Sequence, residues 1–175
     1  MAGSTRMPSE LTFGPREYDL IDEIGRWQVE LDLISEHCSG LDPSYKRKPG
    51  TTGERIDGIE YTIEMDEDSN PYQKNVRLRM LIPDDYPQSL PRVYPIDYTI
   101  IFDHQNHTYR DKKDAVHMCM LFPEDWTEDC SLAGLMVLSS IWMHKYMIWK
   151  RTNIWPGKGR SHCKKCSKPQ QSCEC

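Results

Sequence analysis

The stretch "HMCMLFPEDW", residues 117–126, places Cys119 in a short apolar run, two residues after His117 and just ahead of Pro123 and Trp126. Free cysteine is among the most buried residue types, so taken alone Cys119 reads as a core thiol. A metal ligand and a nucleophile are the other chemistries open to it. The surrounding sequence decides among the three.

Working downstream, "PEDWTEDCS" is a polar turn, and Ser131 then begins a long helix carrying Leu132, Leu135, Trp142, Tyr146 and Trp149. Pro156 and Gly157 are expected to stop it. Its apolar part, "LAGLMVLSSIWMHKYMIW", contains His144, Lys145 and two serines, which suits a core helix better than a membrane span. Upstream, residues 103–118 show no period and predict an irregular stretch leading to Cys119. Before that, Ile59, Tyr61, Ile63 and Met65 alternate with polar residues, as do Val76, Leu78, Met80 and Ile82, with Arg77 and Arg79 between them. Both runs predict half-buried strands. A third strand is expected through "VYPIDYTIIF", with Tyr94, Ile96, Tyr98, Ile100 and Phe102 on one side and Pro95 marking an edge or bulge. "DPSYKRKPGTTGERIDG" reads as a polar connection. From Tyr18 to His37, Leu20, Ile24, Trp27, Leu31 and Ile34 form one helical stripe ending near Gly40. The order predicts an α+β layer built on an antiparallel meander.

The composition sets limits on function. At 175 residues with 38% hydrophobic and 28% charged side chains, the chain is expected to be one soluble domain. Its formal charge of −5, with no basic spread over the main body, argues against a nucleic-acid partner. The opening "MAGSTRMPSELTFG" lacks the pattern of a secretory signal. Seven cysteines, four of them in the last thirteen residues, do not resemble an extracellular disulfide framework. A cytoplasmic protein without a membrane partner is expected.

Together with this order, "YPQSLP" (Tyr86, Pro87, Pro91), Cys119 in "MCMLFP" and Trp126 in "EDW" resemble the ubiquitin-conjugating enzyme family. Its eukaryotic members carry a His-Pro-Asn tripeptide shortly before the cysteine. Here that region reads "HQNHTYRDKKDAVHMC", and Asn106 lies thirteen residues before Cys119. The run "WKRTNIWPGKGRSH" instead resembles the bacterial branch found in antiphage signalling systems built on cyclic oligonucleotides (CBASS). At this length the chain resembles the short form, without a fused adenylating domain. The resemblance implies a UBC-like α+β fold: an N-terminal helix, a four-stranded antiparallel meander, a long irregular active-site stretch and a Trp-rich C-terminal helix. It divides the chain into a loose lead-in at 1–16, the UBC-like domain at 17–157 and a Cys-rich basic tail at 158–175.

The resemblance also implies a chemistry. Cys119 would hold the C-terminus of a partner, a cGAS-like nucleotidyltransferase, as a thioester-type adduct. Sulfur suits such a carrier because the thiolate attacks carbonyls readily and also leaves well. His107 matches a histidine of the bacterial branch; it would orient the acyl group or polarise its carbonyl, or else only stabilise its loop. Asn106 would supply an oxyanion donor by analogy. His162 matches a later histidine in order alone, or else is a fifth member of the cysteine cluster beside it. His117, two residues from Cys119, would share its face on a strand and tune the thiol, or else be a surface histidine. Cys38 and Cys130 read as buried thiols, and Trp126, Trp142 and Trp149 as core packing. Two other functions stand beside the carrier: a non-catalytic docking scaffold of the same fold, and a cysteine hydrolase using Cys119 with His107 or His162.

The tail carries its own signal. Cys163, Cys166, Cys173 and Cys175 offer four thiolates within thirteen residues, a tetrahedral set for structural zinc. The alternative is an unmetallated basic tail, with Lys158, Arg160, Lys164, Lys165 and Lys168 against Glu174. No cofactor is expected for the chemistry itself.

Overall fold

The alternation read from the sequence builds the centre of the molecule. A computed structural model describes residues 23–49, 54–65, 74–103 and 106–157. Strands β1 (Ser44–Pro49), β2 (Glu54–Glu64), β3 (Asn75–Leu81) and β4 (Arg92–Pro95) pair antiparallel in the order β1-β2-β3-β4. Ile59, Tyr61, Ile63, Val76, Leu78, Met80 and Val93 point inward and are buried. Each such aliphatic side chain contributes about 1.5–3 kcal/mol on burial. Helix α1 (Glu23–His37) precedes these strands in the chain and helix α2 (Leu132–Thr152) follows them. Tyr61 of β2 ties the inner sheet face to α2 through a 2.7 Å hydrogen bond to Ser139 Oγ.

The α+β class and the four-stranded meander match the sequence reading, but several segments differ from it. "SYKRKP", expected within a connection, forms β1. It is an edge strand whose side chains are mostly exposed, so it shows no apolar period, and a register shift between Lys46 and Arg47 interrupts its pairing. The third expected strand stops at Pro95 instead of running on to Phe102. At the next position Ile96 N still donates to Arg77 O at 2.8 Å, but the return bond goes to a side chain, Arg77 N donating to Asp97 Oδ1 at 2.9 Å. Residues 103–118 are not wholly irregular either. Strands β5 (Thr108–Arg110) and β6 (Val116–Met118) form a small hairpin, too short to leave a period in the sequence.

The described part of α1 begins at Glu23, and its buried line differs from the expected stripe. Arg26, Glu30 and Ile34 are buried, while Trp27 and Leu31 flank them partly buried. Helix α2 starts where expected: Ser131 Oγ accepts from Gly134 N at 3.0 Å as an N-cap. It ends earlier than Pro156. Asn153, in the left-handed region, closes it by donating its N–H to Trp149 O at 2.7 Å. Leu132, Leu135, Trp142, Tyr146 and Trp149 are all buried, so α2 is a core helix. Among the described residues no helix is long and apolar enough to cross a membrane. The lead-in at 1–16 and the tail at 158–175 lie outside the described residues.

Candidate active site

Cys119 leaves the β5–β6 hairpin one residue after β6 ends. The hairpin pairs Thr108 with Met118 and Tyr109 with His117. One rung further, Cys119 N donates to His107 O at 2.9 Å. Two residues selected from the sequence are thus brought together through their backbones. Trp142 of α2 donates its indole N–H to the same carbonyl at 3.0 Å. His107 has φ +55°, a region that costs a non-glycine residue about 1–3 kcal/mol. The two hydrogen bonds on its carbonyl offset that cost. Its ring lies 4.9 Å from that of Trp155, which in turn sits 5.7 Å from Trp142. Helix α2 and the segment after it therefore hold the residue whose carbonyl holds Cys119.

Cys119 is only 6% exposed, and its Sγ donates to Leu121 O at 3.6 Å. Met118, Leu121 and Phe122 beside it are buried. Asn106 is fully buried: its Nδ2 donates to Ile101 O at 2.8 Å, and its Oδ1 lies 2.9 Å from Thr108 Oγ1. Thr108 Oγ1 also accepts from Asp103 N at 2.9 Å. The carboxamide thereby braces the loop that carries His107. His117 lies in β6, two residues before Cys119. Its ring packs against Tyr94 at 5.4 Å and Tyr109 at 5.6 Å, and burial pushes its pKa below 6.5.

The Tyr-Pro turn is a structural joint. Glu30 of α1 is fully buried. Its Oε1 accepts from Tyr86 OH and from Arg26 Nη2, the latter at 3.2 Å, and its Oε2 accepts from Leu132 N at 2.9 Å. Leu132 N is one of the N–H groups left without an intrahelical partner at the start of α2. Arg26 also donates to Cys130 O at 3.1 Å and Glu128 O at 2.8 Å. Trp126 donates its indole N–H to Pro87 O at 2.7 Å. One buried carboxylate thus fastens the first helix, the turn after β3 and the start of the second helix. That placement fixes both α2 and the "PEDW" turn around Cys119. The sequence offers only an Arg26/Glu30 pair at i,i+4 as a hint, and on a surface helix such a pair is an ordinary solvent-side ion pair.

Cys38 and Cys130 are buried, and burial raises the Cys38 thiol to about 11, in keeping with an inert role. His162 and the four tail cysteines, Cys163, Cys166, Cys173 and Cys175, lie outside the described residues.

These features define an α+β domain that carries a cysteine at the end of a short hairpin, clamped from behind by a tryptophan-rich helix. The chain belongs to the Type II CBASS E2 protein family, whose sequence model matches residues 44–163. Membership assigns it an E2-like role in a CBASS system and places its partners within such a system. A crystal structure of a ubiquitin conjugating enzyme E2 from Plasmodium falciparum is 16% identical, with a TM-score of 0.46, over 68% of this chain and 96% of that one. No curated protein matches.

Proposed function

We propose that Cys119 is the carrier thiol of a conjugating-enzyme-like transferase that acts in antiphage defence in the cytoplasm. Its sulfur attacks the carbonyl carbon of a partner C-terminus already activated elsewhere as an acyl adenylate or thioester. The C–S bond forms, the bond to the activating group breaks and that group leaves with the electron pair, and the thiol proton passes to solvent. The partner in this reading is a cGAS-like nucleotidyltransferase of the same system. His107 orients the bound acyl group, and Asn106 acts by fixing the His107 loop. His162 remains a further catalytic candidate. The observation that supports this reading is the Cys119–His107 rung, held from behind by Trp142.

The 6% exposure of Cys119 favours a second reading, a docking scaffold that forms no adduct. A non-reducing gel of the protein mixed with its neighbouring-gene product separates the two. The carrier gives a thiol-labile band that disappears in Cys119→Ala; a scaffold gives no band in either. We also propose that Cys163, Cys166, Cys173 and Cys175 hold a structural zinc, since all four positions of a tetrahedral site would be filled by thiolates. Metal content of the wild type against a Cys173→Ser/Cys175→Ser variant tests it: zinc near one per chain is expected to be lost in the variant, and equal content in both contradicts it.

A further inference from the structure

On the opposite side of β3 from the core, a groove of about 630 Å³ opens between the sheet and the turn of the β5–β6 hairpin. We infer that it is a docking site for an acidic segment of a protein partner, anchored by an aliphatic side chain. The floor consists of two cross-strand pairs, Leu81 with Arg92 and Arg79 with Tyr94. Leu81 is 44% exposed and Ile96 is 36% exposed, so apolar surface remains open to solvent in a concave site.

The charge of the groove fixes the sign of its occupant. Among the described residues, Arg79, Arg92, Lys112 and Lys113 line it against one carboxylate, Asp111. That carboxylate is already engaged: Oδ1 accepts from Lys113 N and Ala115 N, and Oδ2 accepts from Tyr94 OH at 3.0 Å. Beside the groove, Glu60 pairs with the same Arg79 and with Lys46 and Arg77, so two further cations stand there against one carboxylate. Glu64 and Asp97 lie further along the same face and do not line the groove. This basic site sits on a chain of net charge −5. The chain's own tail is rich in lysine and has the wrong sign to fill it.

The form of the site favours a peptide over a phosphate ligand. Its cations come from β3, β4 and the hairpin turn, and Arg79 and Arg92 stand on different rungs, roughly 7 Å apart along the strands. Among the described lining residues there is neither a helix N-terminus nor a glycine to converge on one phosphate. Spaced cations around an aliphatic floor suit alternating acidic and apolar side chains of an extended segment. The same hairpin carries the groove's turn at one end and Cys119 at the other. Ala115 to Cys119 is four residues, or about 13 Å. A seated segment would need only about four further residues to reach the thiol. That last link rests on the carrier reading of Cys119; the groove does not.

The test therefore uses the full chain bearing Cys119→Ala, which removes covalent capture. A random peptide library with free C-termini is selected on it, and binding of the selected peptides is measured in Lys112→Glu/Lys113→Glu and Leu81→Ser/Ile96→Ser backgrounds. All four side chains are at the surface, and circular dichroism confirms that each background is folded. Selected peptides rich in Asp and Glu around an aliphatic residue are expected, binding at least tenfold more weakly to either double variant and more weakly in high salt. Recovery of no peptide, of basic or neutral peptides, or of peptides that bind the variants equally would overturn the inference. Displacement of the selected peptides by a phosphorylated dinucleotide, with the two lysines alone required, would also overturn it by assigning the groove to nucleotides.

Discussion

Glu30 and Glu60 each collect three donors, yet their surroundings drive them in opposite directions. Glu30 sits under the first helix and accepts from Tyr86, Arg26 and Leu132 N; burial outweighs these donors and raises its pKa above 4.5. Glu60 sits on the outer sheet face, where hydrogen bonds from Lys46 and Arg79 lower it from 4.5 to about 2. An ion pair taken out of water holds its geometry at a desolvation cost, whereas a solvated one keeps its charge and contributes little stability. The inner carboxylate is thus a joint of the scaffold. The outer one belongs to a cationic surface that remains available to a partner.

Glu30→Gln is the largest test of this contrast. An amide cannot accept from all three donors and leaves the buried Arg26 charge uncompensated. Urea denaturation is expected to show a loss of about 3–5 kcal/mol. Tyr86→Phe removes one donor and keeps the ring that stacks on Trp27, so a smaller loss of about 1–3 kcal/mol is expected in the same assay. If Tyr86→Phe proved the more harmful, the carboxylate would not be the centre of the joint.

Trp142→Phe extends the comparison to the site, since it removes the indole N–H from His107 O and keeps the ring in the core. About 1 kcal/mol of stability is expected to be lost. Adduct formation at Cys119 should slow further than that stability change explains; an unchanged rate in folded variant protein would separate the clamp from the thiol.

Glu60→Gln is expected to have the smallest effect at neutral pH, and its signature lies in acid. The folded pKa of Glu60 is depressed, so its contribution is present above 4.5 and lost as pH falls towards about 2. Replacing it should flatten that limb of the stability curve. Burial of Glu30 works in the opposite sense: its desolvation costs stability as pH rises through the raised folded pKa, and the three donors offset that cost only in part. An unchanged acid limb in Glu60→Gln would show that the three cations do not hold that carboxylate.

How far the sequence could be read follows from where each feature stores its information. Strands β2 and β3 face the core on one side and solvent on the other, and their period is plain. Strand β1 is charged and mostly exposed, so nothing in "SYKRKP" separates it from a loop. The β5–β6 hairpin has three-residue strands, too short for periodicity, although the Asp111–Asp114 turn between them was a usable signal. Cys119 could be singled out because its neighbours in the chain carry the pattern. The rung from Cys119 to His107, and the indole of Trp142 behind it, join positions 12 and 35 residues apart. Glu30 and Arg26 were hidden for another reason: their spacing is that of a surface ion pair, and only the partners brought by the Tyr86 turn and the start of α2 make them interior.

The central claim, that Cys119 carries a partner's C-terminus, is tested most directly by intact mass after co-expression with the neighbouring genes. The expected species has the mass of both chains less one water, is cleaved by hydroxylamine and is absent from Cys119→Ala. A species that persists in Cys119→Ala, or one lighter than the sum by only two hydrogens, as a mixed disulfide would be, would contradict it.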